Sequence, residues 1–323
     1  MSDIIAVIPC LNEENHIKEI ATKLARDSNI HVIIADGGSA DKTPQIAKEL
    51  ADSYDNISYL HNPKKIQSAA VNLAVETFGD GATYLIRIDA HAKYPDDYCQ
   101  ILIEEQKETG ATSVVVSMDT VGITPFQKAV ATAQNSKLGN GGSSHRIGEG
   151  NGKWVDHGHH ALMLIEDFRA VGGYDEGFSH NEDGEFDYRL LQNGGKIWLT
   201  GKTKLIYYPR DNAVSLFKQY YNFGKGRAKM IAKHKARPKI RQMIPAGVAP
   251  AAALSLLSPI LWIAAIPLNA WILLCLGYGV LLGYRAKKLS IAASGIAAMI
   301  MHMAWSIGFW KGLFDERAML TNK

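Results

Sequence analysis

The 323-residue sequence has few cysteines: Cys10, Cys99 and Cys275 are widely spaced and form no CxxC motif. This spacing argues against a disulfide scaffold and a structural zinc site, and it suits a reducing compartment. The first residues lack a basic stretch and a small-residue cleavage site, so no secretory signal is expected. The net charge is only +3, which gives no reason to expect nucleic acid as a partner.

A glycine-rich GxGxxG loop is also missing after the first predicted strand, Ile4–Ile8. A dinucleotide-binding fold would place that loop there, so this fold is disfavoured. The turns after the first two predicted strands carry polar residues instead, Asn12 and Glu13 in one and Asp36 in the other. These side chains can accept hydrogen bonds from a base and a ribose. The alternative is a pair of ordinary turns that cap the next helices.

Charged residues are absent from Gln242 to Tyr284, a stretch of 43 positions. One membrane crossing needs about 20 residues, so two short crossings are expected, Gly247–Ile266 and Leu268–Tyr284. A third run without Asp, Glu, Lys or Arg follows at Leu289–Trp310. The alternative is a buried helical hairpin in a water-soluble domain. A basic segment precedes these runs, and that position favours contact with anionic lipid over nucleic acid.

The first 115 residues or so alternate short apolar runs with amphipathic segments. This alternation predicts an α/β fold with a mostly parallel central sheet that is covered by helices. The predicted strands of this part are Ile4–Ile8, His31–Ala35, Ile57–Leu60, Tyr84–Ile88 and Ser113–Ser117. Ligands of such sheets bind beyond the carboxyl ends of the strands, so the polar residues there are candidates for a site.

Asp89 and His91 follow the predicted strand Tyr84–Ile88. Two positions apart on an extended chain, they project to the same side and could both bind a metal ion. A strand that ends in a turn with a solvated histidine is the alternative. Lys64 and Lys65 precede another predicted helix, where they could meet a pyrophosphate or lie in a solvated loop.

Carboxylates are concentrated at a later predicted helix start, Asn181 to Arg189, where four occur within six residues. Acidic residues at a helix N-terminus are favourable through the helix dipole. Four of them also repel one another, which suggests that at least one has a role beyond capping.

In this order and spacing, the motifs resemble family 2 inverting glycosyltransferases of the nucleotide-diphospho-sugar transferase (GT-A) fold. They look most like the motifs of the subgroup that includes the succinoglycan biosynthesis glucosyltransferase. The matching residues are Pro9, Asn12, Glu13, Asp36, Gly37, Gly38, Ser39, Asp41, Thr43, Asp89, His91, Gly172, Gly173, Tyr174, Asp175, Asn181, Glu182, Asp183, the Tyr208–Arg210 motif and the Gln219–Arg227 stretch.

The resemblance implies roles for several of the matched positions. Pro9, Asn12, Glu13, Asp36 and Asp89 would bind the nucleotide sugar, with Asp36 and Glu13 at the nucleoside. Lys65, from the lysine pair before the predicted helix, is a further candidate for binding the nucleotide sugar. Asp89 and His91 would hold a divalent cation, Mn²⁺ or Mg²⁺, and Asp183 would be the general base. Glu182, Gln219 and Arg227 would contact the acceptor or the diphosphate. The wider family more often has aspartate at position 91, and an imidazole favours Mn²⁺ over Mg²⁺.

The resemblance also implies an organisation and a function. A GT-A catalytic domain would cover residues 1–224, followed by a basic interfacial segment at 225–245, a membrane domain of about three hydrophobic helices at 246–312 and a tail at 313–323. The enzyme would move a hexose, plausibly glucose from UDP-glucose, onto a polyprenyl-diphosphate-linked sugar in exopolysaccharide synthesis. It would work at the cytoplasmic face of a bacterial inner membrane, together with other polysaccharide-assembly enzymes.

Three other functions stay open. The chain could be a polysaccharide synthase, a polyprenyl-phosphate sugar transferase, or a membrane-tethered protein that binds a sugar nucleotide without turnover.

Overall fold

A computed structural model describes residues 2–141, 151–238 and 240–321. The glycine-rich stretch 139–152, for which the sequence predicts a mobile loop, lies mostly outside these residues. The chain divides into two compact units, the first formed by Met1–Met118 and Gly148–Ile206, the second by Asp119–Ile147 and Tyr207–Lys323. Residues 119–147 therefore group with the C-terminal helices. The domain boundaries predicted at 224, 245 and 312 stay predictions.

Eight strands and a series of helices make up the described chain. The strands are β1 Ile4–Cys10, β2 Ile30–Asp36, β3 Ile57–His61, β4 Tyr84–Arg87, β5 Ser113–Thr120, β6 Lys153–Val155, β7 His159–Leu164 and β8 Ile197–Tyr207. The helices are α1 Ile17–Leu24, α2 Thr43–Ser53, α3 Gln67–Phe78, α4 Tyr98–Thr109, α5 Pro125–Gln134, α6 Lys137–Asn140, α7 Ile165–Ala170, α8 Glu182–Gln192, α9 Ala213–His234, α10 Ile240–Ala246, α11 Val248–Ser255, α12 Ile266–Arg285 and α13 Ser294–Thr321. Two 3-10 turns, Trp262–Ala265 and Leu289–Ala293, precede α12 and α13.

The strands form one sheet in the order β3-β2-β1-β4-β7-β5-β8-β6. β1 runs parallel to β2 and β4, and β2 runs parallel to β3, whereas β7 is antiparallel to both β4 and β5. The predicted α/β fold with a mostly parallel central sheet is confirmed. The longest strand is β8, which runs without a break from Ile197 to Tyr207.

The parallel strands read as continuous apolar runs because helices cover both of their faces. Ile5, Val7, Ile33 and Leu85 are almost completely buried. They pack in one core with Phe186 of α8, which fixes α8 against the carboxyl ends of β1 and β4. This arrangement brings the acidic helix start to the edge where the predicted polar turns lie.

The second unit is helical. Within it, two segments are long and apolar enough to cross a membrane, Trp262–Arg285 and Leu289–Arg317. The sequence predicts about three hydrophobic helices, but the first, α11, has only eight residues. Turns follow it before the 3-10 turn that leads into α12.

Candidate active site

The loops after β1 and β2 are joined by hydrogen bonds between backbone and side chains, and we call residues 10–16 and 36–43 the β1–β2 loops. Asn12 adopts a left-handed conformation with φ of 57°. Its N–H donates to the Ser39 hydroxyl at 2.8 Å, and its side-chain oxygen accepts from the Ala40 N–H at 2.8 Å. The Glu13 N–H donates to the Thr43 hydroxyl at 2.8 Å. These contacts fix both turns in one arrangement.

Asp36 ends β2 and is buried. Its carboxylate accepts from the Ser39 N–H at 3.1 Å, from the Ser39 hydroxyl at 2.5 Å and from the Gly38 N–H at 3.2 Å. Asp36 therefore organises its own turn as well as facing the edge of the sheet. Pro9 lies inside β1, in register with Ala35.

Lys65 lies beside the same turn. It has a left-handed φ of 61°, and its backbone lies 3.4 Å from the position that a Cβ on Gly37 would take. Its Cε lies 3.7 Å from the corresponding position on Gly38, whose φ of 79° favours glycine. Lys65 is exposed, whereas the neighbouring Lys64 pairs with Glu176. Lys65 thus places a cation next to the β2 turn.

Glu13 reaches from the β1–β2 loops to the end of β4. One of its carboxylate oxygens lies 3.1 Å from His91 Nδ1, and the other lies 3.0 Å from His16 Nδ1. Burial would raise the pKa of Glu13, but the hydrogen bonds and charges of the two histidines outweigh burial and lower it. The predicted nucleoside residue and the predicted metal residue are therefore in direct contact.

Asp89 follows β4 and contacts two polar side chains. Gln67 of α3 donates to one carboxylate oxygen at 3.1 Å, and His159 Nε2 lies 3.5 Å from the other. Burial would raise the pKa of Asp89, but the charge of Arg87 outweighs burial and lowers it. Burial lowers the pKa of His159 to about 4, so this imidazole is neutral.

The donor set at β4 fits a metal ion that is shared with a phosphate. Within the described ranges, no three His, Cys, Asp or Glu side chains form a group that could hold a metal ion. Sites for Mg²⁺ and similar ions on nucleotides typically use one or two protein ligands together with substrate phosphates. Asp89 and His91 match this type. If His91 Nδ1–H donates to Glu13, Nε2 carries the lone pair that a metal requires, as is usual for a histidine ligand.

Arg87 lies at the end of β4 with only 4% of its side chain exposed. Its guanidinium donates to Asp183 Oδ1 at 2.5 Å and to the Tyr174 hydroxyl at 3.2 Å. Tyr174 in turn donates to the same oxygen of Asp183 at 3.2 Å. The guanidinium nitrogen Nε lies 3.9 Å from Asp89, so one buried cation joins both predicted carboxylates.

Asp183 is ionised and oriented. Burial would raise its pKa, but Arg87 and then His160 outweigh burial and hold the pKa well below its usual range. Every hydrogen bond to this carboxylate in the described chain goes to Oδ1. The side chain is 17% exposed, so Oδ2 can face a ligand.

A buried pair, His160 and Asp187, lies behind Asp183. His160 Nε2 is 2.6 Å from Asp187 Oδ1, and Nδ1 is 2.6 Å from the Tyr174 hydroxyl and 3.4 Å from Asp183 Oδ1. Burial would lower the pKa of His160, but Asp187 and then Asp183 raise it above its usual value. The second oxygen of Asp187 lies 2.6 Å from His157 Nδ1. We call Arg87, Asp89, His159, His160, Tyr174, Asp183 and Asp187 the Arg87 cluster.

Glu182 is the first residue of α8 and neighbours Asp183. Its environment differs, because burial and then the charge of Asp183 raise the pKa of Glu182 to about 7. Two adjacent carboxyl groups thus have opposite tendencies, one ionised at all ordinary pH values and one that titrates near neutrality. Such a division is common at sites that move protons.

The structure brings most of the predicted residues to one edge of the first unit. Glu13 and His91 touch, and Asp89 and Asp183 share Arg87. Gln219 and Arg227 belong to the second unit, on α9, where Gln219 donates to the Tyr207 hydroxyl at 3.0 Å. Their predicted roles, like those of the other site residues, stay predictions.

Sequence reasoning assigned no role at the site to the partners that hold these carboxylates: Arg87, Gln67, His159, His160, Tyr174 and Asp187. A signal for two of them was present, because Arg87 and His160 are polar residues within otherwise apolar strands, and buried polar groups require partners.

The edge combines features that group transfer from a phosphorylated donor needs. It has polar loops, a pair of side chains that is compatible with a cation, and an oriented ionised carboxylate. A proton acceptor of this kind activates a hydroxyl that attacks the donor.

Comparison with known proteins agrees with this chemistry. The model of glycosyl transferase family 2 matches residues 5–172. The chain is 55% identical over 316 residues to the succinoglycan biosynthesis protein ExoA of Rhizobium meliloti, covering 97% of this chain and 96% of that protein. It is also 26% identical to a dolichyl N-acetyl-α-D-glucosaminyl phosphate 3-β-D-2,3-diacetamido-2,3-dideoxy-β-D-glucuronosyltransferase of Methanococcus voltae, covering 97% of this chain and 98% of that one.

A solved structure shares the fold. The mannosyltransferase PcManGT from Pyrobaculum calidifontis, in complex with GDP-Man and Mn²⁺, superposes with a TM-score of 0.61 at 16% identity, covering 97% of this chain and 87% of that one. At this identity the likeness shows a common GT-A-like fold. The family match and the 55% identity show the rest: the chain is an enzyme that belongs to glycosyl transferase family 2.

Proposed function

We propose that the enzyme is an inverting hexosyltransferase of succinoglycan-type exopolysaccharide synthesis, which transfers a hexose, glucose from UDP-glucose, to a polyprenyl-diphosphate-linked sugar. The observation that carries this proposal is the pairing of Asp183 with Arg87. It leaves an oriented, ionised carboxylate in the same cluster as the predicted diphosphate residue Asp89. The 55% identity to the succinoglycan biosynthesis protein ExoA supports the pathway.

Asp183 is the proposed general base. The acceptor hydroxyl donates its proton to Oδ2 while its oxygen forms a bond to the anomeric carbon. The bond between that carbon and the diphosphate oxygen breaks on the opposite face, and the nucleoside diphosphate leaves with the electron pair. One base and one direct displacement invert the configuration.

Arg87 and Tyr174 position the base. Both donate to Oδ1, so the second oxygen is held at a fixed angle towards the ligand. Such positioning lowers the entropic part of the barrier. The arginine also keeps Asp183 ionised, so that no proton must leave before the acceptor binds.

The β1–β2 loops are proposed to bind the nucleoside, with Asp36 and Glu13 accepting from the base and the ribose. Pro9, Asn12 and Lys65 shape and charge the same edge. Asp89 and His91 would hold a divalent cation, Mn²⁺ or Mg²⁺, which stabilises the negative charge that develops on the diphosphate. Glu182, Gln219 and Arg227 are proposed to contact the acceptor or the diphosphate.

The apolar helices of the second unit are proposed to attach the enzyme to the cytoplasmic face of a bacterial inner membrane. A polyprenyl-linked acceptor lies in that membrane, so attachment raises its local concentration. Other polysaccharide-assembly enzymes are proposed to act there as neighbours.

The test is sugar transfer by membranes that contain the Asp183→Asn variant. Transfer is assayed with a panel of nucleotide sugars and Mn²⁺ or Mg²⁺, and the mass of the lipid product is measured by mass spectrometry. We expect transfer to fall by about 10²–10⁴-fold, while donor binding stays nearly unchanged. Asp97→Asn, at an exposed position before α4, is the matched control. An Asp183→Asn enzyme with full activity would exclude the base assignment.

The same assay separates the remaining functions. One hexose added to a diphosphate-linked sugar supports the proposal, and many additions indicate a synthase. Transfer to polyprenyl phosphate itself indicates a phosphate acceptor, and donor binding without product indicates a binding protein.

A further inference from the structure

The second unit carries a large apolar surface, which we call the α11–α12 face. Its exposed side chains include Leu256, Ile260, Trp262, Leu273, Leu274 and Val280, and Ile260 is 90% exposed. Water-soluble monomers rarely expose apolar patches larger than a few hundred Å². One of the segments involved, Trp262–Arg285, is long and apolar enough to cross a bilayer, and so is Leu289–Arg317 in α13. The neighbours of these helices decide whether they cross it.

Helix α13 lies against α9 along the middle of the segment that would cross. Leu216 of α9 packs with Ala298 and Met301, and Ala228 packs with Phe309. The contact is close, since a Cβ on Gly224 would lie 2.1 Å from the carbonyl oxygen of Trp305. From residue 298 to residue 309 the two helices therefore run side by side for about 16 Å.

Helix α9 is too charged to lie in hydrocarbon. It carries Lys218, Lys225, Arg227, Lys229 and Lys233, spread over its length. Lys218 and Lys225 are exposed. A lysine or arginine at the centre of a membrane is energetically unfavourable. If α13 crossed the bilayer, α9 would have to enter the membrane with it, together with several of these cations.

The packing of helix α5 is a second observation against a membrane crossing by α12 and α13. Val130 and Ala133 pack in the same cluster as Ala298 and Met301, and the 3-10 turn Leu289–Ala293 also packs against α5. The turn is the tip of the hairpin formed by α12 and α13, so a crossing hairpin would place its tip on the far side. Non-helical backbone precedes α5, and such backbone is not tolerated against lipid.

Helix α12 is attached to the same assembly near both of its ends. Trp271 donates to His302 Nδ1 at 3.3 Å, and His302 Nε2 lies 2.9 Å from the carbonyl oxygen of Leu138 in α6. Near the other end, a Cβ on Gly283 would lie 2.9 Å from the Ala292 nitrogen. Both ends of α12 thus lie on the side of the polar helices α5 and α6.

The charges after α12 agree with this arrangement. Arg285, Lys287 and Lys288 follow directly and are exposed. In a two-span hairpin these cations would face the periplasm, against the positive-inside rule. At the cytoplasmic surface they would instead meet anionic headgroups.

We propose that the second unit enters only the cytoplasmic leaflet, with the α11–α12 face in the acyl chains, and does not cross the membrane. This proposal rests on the membrane attachment proposed above, but not on the donor, the acceptor or the catalytic residues. Amphipathic and apolar helices can lie in the plane of the interface in this way. The partner is the lipid of one leaflet.

The test is labelling of Lys287→Cys with a membrane-impermeant maleimide in intact spheroplasts and after their lysis. The three native cysteines are buried, so the unsubstituted enzyme gives the background. Lys107→Cys, exposed on α4, is the matched control for a cytoplasmic position. Sedimentation of the membranes and the transfer assay are run on the same samples.

We expect both cysteine variants to sediment with membranes and to label only after lysis. Labelling of Lys287→Cys in intact spheroplasts would overturn the single-leaflet arrangement and establish a crossing hairpin, while leaving the transferase activity in place. Recovery in the soluble fraction would overturn the membrane attachment itself. Loss of transfer in correctly located enzyme would count against the proposed function and not against this arrangement.

Discussion

The β1–β2 loops and the Arg87 cluster are the two halves of the proposed site, and they are held together differently. The loops depend on neutral or backbone-directed hydrogen bonds at Asn12, Asp36 and Ser39. The cluster depends on buried charges from β4, β7 and α8 that neutralise one another. Breaking a hydrogen bond in an exposed turn leaves groups that water can satisfy, whereas removing one charge of a buried pair does not. The cluster is therefore expected to be the more fragile half.

The largest effect is expected for Arg87→Met, which leaves Asp183 buried without its cation. We expect the free energy of unfolding to fall by about 3–5 kcal/mol, measured by denaturant titration. Arg169→Met is the matched control, because its ion pair with Asp80 is exposed and is worth less than about 1 kcal/mol. The double variant Arg87→Met with Asp183→Asn should recover part of the loss. Equal effects for both single variants would contradict the comparison.

Asp187→Asn tests the rear of the cluster. Asp187 has a lowered pKa and His160 a raised one, each shifted by the other against burial. The stability that the pair contributes is present between the unfolded pKa values of about 4 and 6.5, and is lost below and above this window. We expect a loss of about 2–3 kcal/mol at pH 5.5 that shrinks as the pH rises past the raised pKa of His160.

The control for this variant is Asp52→Asn on the exposed face of α2. Unfolding is measured from pH 4 to pH 9, and the transfer rate is measured on the same preparations. A loss that does not change with pH would show that the His160–Asp187 pair is not charged as described.

Glu182→Gln separates the two adjacent carboxyl groups. The pKa of Glu182 is raised to about 7, so its ionisation costs stability as the pH rises through that value. We expect the variant to be more stable than the parent by about 1–2 kcal/mol at pH 8 and similar at pH 5. If Glu182 were the general base, transfer would fall as strongly as in Asp183→Asn. We expect most of the transfer to survive, in an assay across the same pH range.

The smallest effect is expected for Ser39→Ala in the β1–β2 loops. The hydroxyl accepts from the Asn12 N–H and donates to Asp36, so its loss costs about 1 kcal/mol. The KM for the donor should rise while kcat is nearly retained, because the turns are proposed to bind the donor and to take no part in the reaction. Ser53→Ala, whose exposed hydroxyl only contacts its own helix, is the control. A strong fall in kcat would show that the loops do more than bind.

The β1–β2 loops and the Arg87 cluster also differ in how much of each could be predicted from the sequence. Asn12, Glu13, Asp36 and Asp89 were found because each directly follows an apolar strand and the carboxyl ends of parallel strands meet at one edge. The proximity of Asp183 to this edge needed the resemblance, since about 90 residues separate it from Asp89. The contact of Arg87 with Asp183 was not predicted, because a strand pattern does not specify which distant carboxylate a buried cation meets.

In the second unit too, the sequence pattern predicts the apolar segments but not how their helices pack. The absence of charge from Gln242 to Tyr284 predicts burial in lipid or protein. The number of long helices and the packing of α13 on α9 depend on glycines at the contact, such as Gly224 and Gly308, and on helices from elsewhere in the chain.

The sequence by itself determined the α/β fold, the polar strand ends and the apolar C-terminal third, because hydrophobic period and turn residues act over a few neighbours. Only the tertiary structure decided which charges pair. That choice depends on the antiparallel placement of β7 beside β4 and on the packing of Phe186, which together bring His160, Asp187 and Asp183 to Arg87. Electrostatic energy depends on the distance between charges and on their burial, and the local sequence pattern specifies neither.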